Sequence, residues 1–127
     1  MSQEMTTFTR GTLDGAEVEK TSAYTVVATT DSGKVFKVNS SVTFTLPSIA
    51  IGNVFTFVYT GVDGAANITL SPAALDGITY AGSEVDNKDL ILTQATAQKG
   101  DYVKIASLNG TGAWQVVDIK GIWTKEA

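Results

Sequence analysis

Two neighbouring runs of residues decide the fold: Val42-Thr43-Phe44-Thr45-Leu46-Pro47 and Val54-Phe55-Thr56-Phe57-Val58-Tyr59. In the first run, apolar and hydroxyl side chains alternate, which is the period of a β-strand with one buried face. Pro47 ends that strand because it has no N–H to donate to a neighbouring strand. The second run is apolar on both faces, which indicates a central strand of a sandwich or a strand with one face against a partner.

Similar short runs fill the chain from Ala23 onward, and turn signals such as Asp63-Gly64 and Asn109-Gly110 separate them. We count about eight to ten runs, at spacings of roughly 8–12 residues, which is typical of β-sandwiches and barrels. The spacing does not fit the alternation of strands and helices in βαβ units. We therefore predict an all-β fold in which residues 23–127 form a single antiparallel β-sandwich, jelly-roll-like. No repeat of fixed period is visible.

Residues 1–22 differ from the rest because polar residues dominate and the apolar ones are isolated. Neither the helical nor the strand period holds for long in this segment. We predict an extended N-terminal arm over residues 1–22. The alternative is a first strand of the domain, from Phe8 to Leu13.

Composition excludes several classes of function. Charged residues make up 17% of the chain and the net charge is −4, whereas nucleic-acid binding needs clustered Lys and Arg. Arg10 is the only arginine, so we predict no nucleic-acid partner. No apolar run approaches the roughly 18 residues of a membrane span, and the start of the chain lacks the layout of a signal peptide. We predict no membrane partner.

The chain contains neither His nor Cys, which excludes a Ser-His-Asp triad and a thiol nucleophile. We predict no catalytic residues, no cofactor, no metal and no enzymatic activity. Glu84, Asp86 and Asp89 lie close together in the sequence, and such carboxylates could serve glycoside hydrolysis or bind calcium. Lys88 offsets their charge, and the loop lacks the Gly and Glu spacing of an EF-hand. A solvated loop is the favoured interpretation, with a calcium site and a hydrolase as alternatives.

Four aromatic residues have two interpretations. Trp114, Trp123, Tyr80 and Tyr102 could form a platform on which sugar rings stack, or they could belong to the core. Trp114 is expected in the core, because one large aromatic side chain commonly anchors a sandwich. If Trp123 docks on the domain, it holds the C-terminus in place.

Basic residues are absent from a long central region, since no Lys or Arg occurs between Asn39 and Asn87. Charged side chains commonly protect the edges of β-sheets from pairing with other chains. Edges in the 39–87 region are therefore closed on themselves or covered by a second copy of the chain.

The order and spacing of turn and strand residues resemble those of the β-rich modules of tailed-bacteriophage virion proteins. The resemblance covers about 100 residues and is carried by these segments: Tyr24-Thr25-Val26, Asp31-Ser32-Gly33-Lys34-Val35-Phe36, Phe44-Thr45-Leu46-Pro47, Gly52-Asn53-Val54-Phe55-Thr56-Phe57-Val58, Asn67-Ile68-Thr69-Leu70-Ser71-Pro72, Gly100-Asp101-Tyr102-Val103, Trp114-Gln115-Val116-Val117 and Gly121-Ile122-Trp123. Such modules occur in capsid decoration (cement) proteins and in tail fibres or spikes. A small chain with an N-terminal arm is more similar to a decoration protein than to a fibre, which carries long repetitive shafts.

The resemblance implies a structural virion protein that sits on the outer capsid surface, binds the major capsid protein and stabilises the head. It also implies a homotrimer. We expect the arm and the 39–87 region to make the contacts, with these residues at the oligomer or capsid interface: Met5, Phe8, Arg10, Leu13, Phe55, Phe57 and Tyr59. The alternative function is a tail fibre or spike, or another carbohydrate-binding or receptor-binding β-module.

Overall fold

The computed structural model describes residues 17–108 and 112–127, which fold into two packed β-sheets. One helical turn, α1 (Ala28–Asp31), and one 3₁₀ turn (Gln94–Thr96) accompany the strands. The strands are β1 (Glu17–Lys20), β2 (Tyr24–Thr25), β3 (Val35–Val38), β4 (Val42–Thr45), β5 (Val54–Tyr59), β6 (Ile68–Ser71), β7 (Gly77–Thr79), β8 (Leu90–Leu92), β9 (Tyr102–Ala106), β10 (Ala113–Lys120) and β11 (Trp123–Lys125). The prediction of a mostly β, two-sheet domain is confirmed.

The two sheets are mixed, and this corrects the prediction of an antiparallel sandwich. The first sheet has the strand order β1-β3-β5-β9-β10-β7, and the second has the order β11-β8-β6-β4-β2. Five of the nine pairings among the described strands are parallel. Jelly-rolls are built from antiparallel strands, so the parallel pairs do not fit that topology. Hydrophobic alternation reveals a strand and its buried face, but it carries no information about the direction of the neighbour.

Parallel pairing arises because the chain winds between the sheets. β1, β3 and β5 lie side by side in the first sheet, while β2, β4 and β6 lie side by side in the second. The pairs β1–β2, β3–β4 and β5–β6 therefore form three successive coils of a flattened spiral. Glu17 lies opposite Val35, 18 residues later, but Val35 lies opposite Thr56, 21 residues later. Because the coils differ in length, the sequence shows no fixed period.

The core lies between the sheets and is rich in aromatic side chains. Phe36 and Phe57 stack at 5.4 Å between ring centroids, with 14° between their planes. Phe44 reaches them from the opposite sheet, at 5.3 Å from Phe36 and 4.8 Å from Phe57. Edge-to-face and offset contacts of this kind stabilise a core beyond the burial of area alone. They join the second and third coils of the spiral.

The first strand begins inside the segment predicted as an arm. Residues 17–20 form β1, which pairs with β3, so the domain starts before residue 23. Val18 is the only apolar residue among Glu17, Val18, Glu19 and Lys20. A charged edge strand of this kind lacks the hydrophobic alternation by which strands are recognised. The remainder of the predicted arm, residues 1–16, and the alternative strand from Phe8 to Leu13 lie outside the described residues.

Candidate functional site

Three residues predicted at an interface belong to the core instead. Phe55, Phe57 and Tyr59 project inward from β5 and have no exposed surface. β5 lies between β3 and β9, so its two-sided apolar pattern reflects a central strand. A partner that binds the folded chain cannot reach these three side chains. The other predicted interface residues, Met5, Phe8, Arg10 and Leu13, lie outside the described residues.

The region without basic residues is mostly internal for the same reason. β4, β5 and β6 each have a strand on both sides, so they expose no edge that charge would have to protect. The edges of these three strands are thus closed within the chain, whereas β7 (Gly77–Thr79), in the same region, is the edge strand of the first sheet. What remains accessible in this region is chiefly its loops and the outward-facing side chains of its strands.

Backbone hydrogen bonds fix the position of the loop with three carboxylates. Residues 80–83 form a turn closed by the Tyr80–Ser83 bridge, and the backbone N–H of Asn87 donates to Asp76 O at 2.9 Å. The chain thereby folds back beside β7. Within residues 17–108 and 112–127, no group of three or more acidic side chains is close enough together to hold a metal ion.

The aromatic residues do not form a common platform in the described chain. Trp114 has no exposed surface and packs against Phe55 at 5.5 Å between ring centroids, as expected for a core anchor. Trp123 is 5% exposed, and its Nε1 donates to Lys120 O at 2.9 Å, so it docks on the domain near the C-terminus. Tyr80 and Tyr102 are half-buried. A sugar-stacking surface built on the two tryptophans is excluded by their burial.

One end of the sandwich gathers exposed aliphatic side chains that the sequence patterns do not single out. The strands β2, β4 and β6 all finish at this end. Two loops, residues 46–53 and 72–76, lie there together with the described ends of a third loop, Ser107, Leu108 and Gly112. Ile51, Leu75 and Leu108 are 71%, 84% and 62% exposed. Val27, next to α1, is 43% exposed at the same end. We call these four residues and their loops the apolar end.

Hydrogen bonds fix the loops of the apolar end to one another. Ile49 N donates to Asp76 Oδ2 at 3.0 Å, which joins the first loop to the second. Gly52 N donates to Ser107 O at 3.0 Å, and Asn53 N donates to the Ser107 hydroxyl at 3.3 Å, which joins the first loop to the third. Loops tied in this way present their side chains with less loss of conformational entropy on binding.

The apolar end carries little exposed charge. Residues 46–53 contain no ionisable side chain, and Asp76, the only one in residues 72–76, is 9% exposed. A shallow groove of about 440 Å³ runs between these loops and is lined by Ser48, Ile49, Ala73, Ala74, Leu75, Asp76 and Gly112. Contiguous apolar surface without charge is characteristic of protein–protein contact.

Asp31 holds the α1 segment of this end in place. Its buried carboxylate accepts hydrogen bonds from Tyr24 Oη at 2.8 Å and Val27 N at 2.8 Å. It also pairs with Lys34 Nζ at 3.2 Å. Burial alone would raise the pKa of Asp31, but the hydrogen bonds and the lysine charge outweigh it and lower the pKa below 3.8. The same hydrogen bond, together with burial, raises the pKa of Tyr24.

We expect Asp31→Asn to lower the free energy of unfolding at pH 7 by about 1–3 kcal/mol, since buried donors lose a charged acceptor. A carboxylate with a lowered folded pKa contributes stability that is present above its unfolded pKa and is lost as pH falls through the folded pKa. The variant should therefore lose less stability than the wild type between pH 5 and pH 2. Urea unfolding across this range measures the difference. Equal acid sensitivity in the two proteins would contradict the assignment, and Asp63→Asn, at an exposed carboxylate, is the control.

The outer faces of the two sheets differ in charge. The first sheet presents the charged side chains Glu17, Glu19, Lys37, Lys104, Asp118 and Lys120. The second sheet presents no charged side chain from the centres of its described strands, but the neutral residues Thr25, Thr43, Thr45, Thr69, Ser71, Ile91 and Thr124. This hydroxyl-rich face adjoins the apolar end at Ser71 and Thr45, and together they form an extended neutral surface.

No protein-family model matches the chain, and no curated protein matches its sequence. No helix among the described residues is long and apolar enough to cross a membrane.

Proposed function

We propose that this chain is a structural protein of a tailed-bacteriophage virion, a capsid decoration protein that binds the outside of the head and stabilises it. The observation that supports the proposal best is the apolar end, where Ile51, Leu75 and Leu108 are exposed on loops without exposed charge. A protein that works by adhesion needs such a surface.

Burial of the exposed aliphatic side chains would contribute to the free energy of binding to a shell. Burial of one exposed aliphatic side chain contributes about 1.5–3 kcal/mol. In the proposed homotrimer, three copies of the apolar end face the shell together, so the second and third contacts form at high effective concentration. The major capsid protein would contribute a complementary apolar surface where its subunits meet. Binding there adds buried area between subunits and opposes the outward pressure of packaged DNA.

Cosedimentation with heads of the phage that encodes the chain tests the proposal. Wild-type protein should pellet with heads from which decoration proteins have been removed, and Leu75→Ser should weaken binding about tenfold or more, since each 1.4 kcal/mol changes the affinity tenfold. Val62→Ser is the matched control, because Val62 is 71% exposed, as Ile51 is, but follows β5 at the opposite end. Failure of the wild type to pellet would refute the decoration function. Equal binding by Leu75→Ser, Ile51→Ser and Val62→Ser would exclude the apolar end as the contact.

A measurement of the mass in solution tests the proposed trimer independently of the proposed binding to heads. Light scattering over a concentration series should give about three times 13.3 kDa for a trimer. A chain that remains monomeric at all concentrations but still pellets with heads would refute the stable trimer alone. A chain that binds purified tails instead of heads would support the tail fibre or spike alternative.

A further inference from the structure

A trimer needs a surface on each copy through which the neighbouring copies are contacted. The described strands offer two broad surfaces of this kind, the outer faces of the two sheets. The first sheet presents charged side chains, whereas the second sheet presents the hydroxyl-rich face. This difference in charge decides which face suits contact between identical copies.

The hydroxyl-rich face is an ordered array because its strands pair in register. Its outward side chains form one row of Thr43, Thr69, Ile91 and Thr124 and a second row of Thr25, Thr45 and Ser71. Ile91 is half-buried and places an aliphatic side chain between two threonines. Each threonine adds a methyl group and a hydroxyl that both donates and accepts a hydrogen bond. Such a face can be buried with its polar groups satisfied.

Contact between identical copies favours a face without charge. In a trimer that packs one face around its axis, one half of the face meets the other half on the next copy. On the first sheet this contact would remove the exposed Lys104, Asp118 and Lys120 from water, and buried ions are costly unless each finds a well-placed partner. Glu17 and Lys37, whose charged atoms are 2.8 Å apart, already pair within the chain. On the second sheet the same contact removes only neutral side chains from water.

Charged residues occur at the margin of the hydroxyl-rich face. Asp89 precedes β8, and Glu126 follows β11. Glu126 N donates to Asp89 O at 2.9 Å, and Asp89 N donates to Glu126 Oε1 at 3.0 Å. A neutral centre with a polar rim is the usual anatomy of a contact between protein chains.

The direction of the strands relates this face to the apolar end. β2, β4 and β6 run parallel and finish at the apolar end, which the face adjoins at Thr45 and Ser71. Rotation about an axis parallel to these strands turns a copy without reversing it, so the three apolar ends of such a trimer point in the same direction. A two-fold axis perpendicular to the strands would instead point one apolar end away from a shell.

Given the homotrimer of the proposed function, we propose that its copies contact one another through the hydroxyl-rich face, around an axis parallel to β4. The occupant of the face is a second copy of the chain, because the contact brings no like charges together and is continuous with the surface that meets the shell. The charged face of the first sheet then points outward to solvent.

A carboxylate introduced at the centre of the face tests this contact. Thr69 is half-buried on β6, between Thr43 and Ile91. Thr69→Glu should raise the concentration at which half of the chains are assembled by about tenfold or more, because each contact would bury an ion without a partner. Light scattering over a concentration series of the full-length protein measures this shift.

Thr56→Glu is the matched control. Thr56 is also a half-buried, outward-facing threonine of a central strand, but it lies on the first sheet, opposite Lys104. This variant should assemble as the wild type does. Thr43→Glu, at an exposed position of the same row as Thr69, should dissociate the trimer and decides the test if circular dichroism shows that Thr69→Glu is not folded.

Several outcomes would overturn the proposed contact. They are a trimer that persists in folded Thr69→Glu or in Thr43→Glu, dissociation that is equal in Thr56→Glu, and a wild type that is monomeric at every concentration. Pelleting with heads tests the decoration function separately. If Thr69→Glu dissociates but the wild type does not pellet with heads, the contact between copies is supported and the decoration function is refuted.

Discussion

Replacement of Phe57 by alanine should lower the free energy of unfolding by about 3–5 kcal/mol, which is the usual cost of removing a fully buried phenylalanine. The ring stacks on Phe36 and meets Phe44 across the two sheets. Its loss would leave a cavity where the second and third coils join. We expect the midpoint of thermal unfolding to fall by roughly 10–20 °C for a domain of this size.

Thermal and urea unfolding, followed by circular dichroism, measure the effect. Phe57→Leu is the control, because it keeps most of the apolar volume and should cost about 1.5 kcal/mol or less. If Phe57→Ala unfolds within a few degrees of the wild type, the aromatic cluster does not join the sheets. Phe57 was predicted to lie at an interface, and an unstable variant without any partner present would be independent support for its place in the core.

Gly77→Ala should also destabilise the domain strongly. A Cβ atom at this position would overlap Glu84 O and lie 3.0 Å from Glu84 C, and both are backbone atoms that cannot move without displacing the chain. Overpacking of this kind costs about 1–3 kcal/mol and sometimes more. The segment that folds back beside β7, at Glu84 and Val85, would be pushed away from the strand.

Gly82→Ala is the control, because it introduces backbone strain without the steric clash expected in Gly77→Ala. Gly82 has a φ of +82°, but a Cβ atom there meets nothing within 4 Å. Its substitution should cost about 1–2 kcal/mol through the left-handed conformation alone. Differential scanning calorimetry of the two variants gives the comparison. A smaller effect at Gly77 than at Gly82 would contradict the close approach of the returning segment. Proteolysis near Glu84 should increase only in Gly77→Ala.

Strand positions could be predicted from the sequence because alternation reports directly on burial. The run at Val42 became β4 with the expected face inward, whereas the run at Val54 became a strand, β5, whose predicted interface residues Phe55, Phe57 and Tyr59 are buried in the core. Strand direction could not be predicted, since parallel and antiparallel neighbours bury the same side chains. β1 was missed because its charged residues face outward from an edge. The helical turn α1 was missed because four residues are too few for a helical period.

The candidate site was harder to predict because it consists of loops. Ile51, Leu75 and Leu108 are far apart in the sequence, and each is flanked by Gly, Ala or polar residues. No period links them, and their loops lie at one end of the domain only because β4, β6 and β9 all end there. Phe55 and Tyr59 were predicted at an interface because they are apolar residues of a strand, but both are buried in the core. Exposed hydrophobic residues on loops become informative only when the strand order is known.

The alternation of the chain between sheets has a consequence for how the domain forms. Among the described strands, β9 and β10 are the only consecutive pair that are also neighbours in a sheet, whereas consecutive strands are neighbours roughly two-thirds of the time in other proteins. A local hairpin can therefore nucleate only at β9 and β10. Every other pairing must wait for distant segments to meet, which places the domain among slow folders, on a scale of milliseconds to seconds. During that interval its threonine-rich strands are exposed to other newly made copies, so the rate of synthesis has a direct bearing on yield.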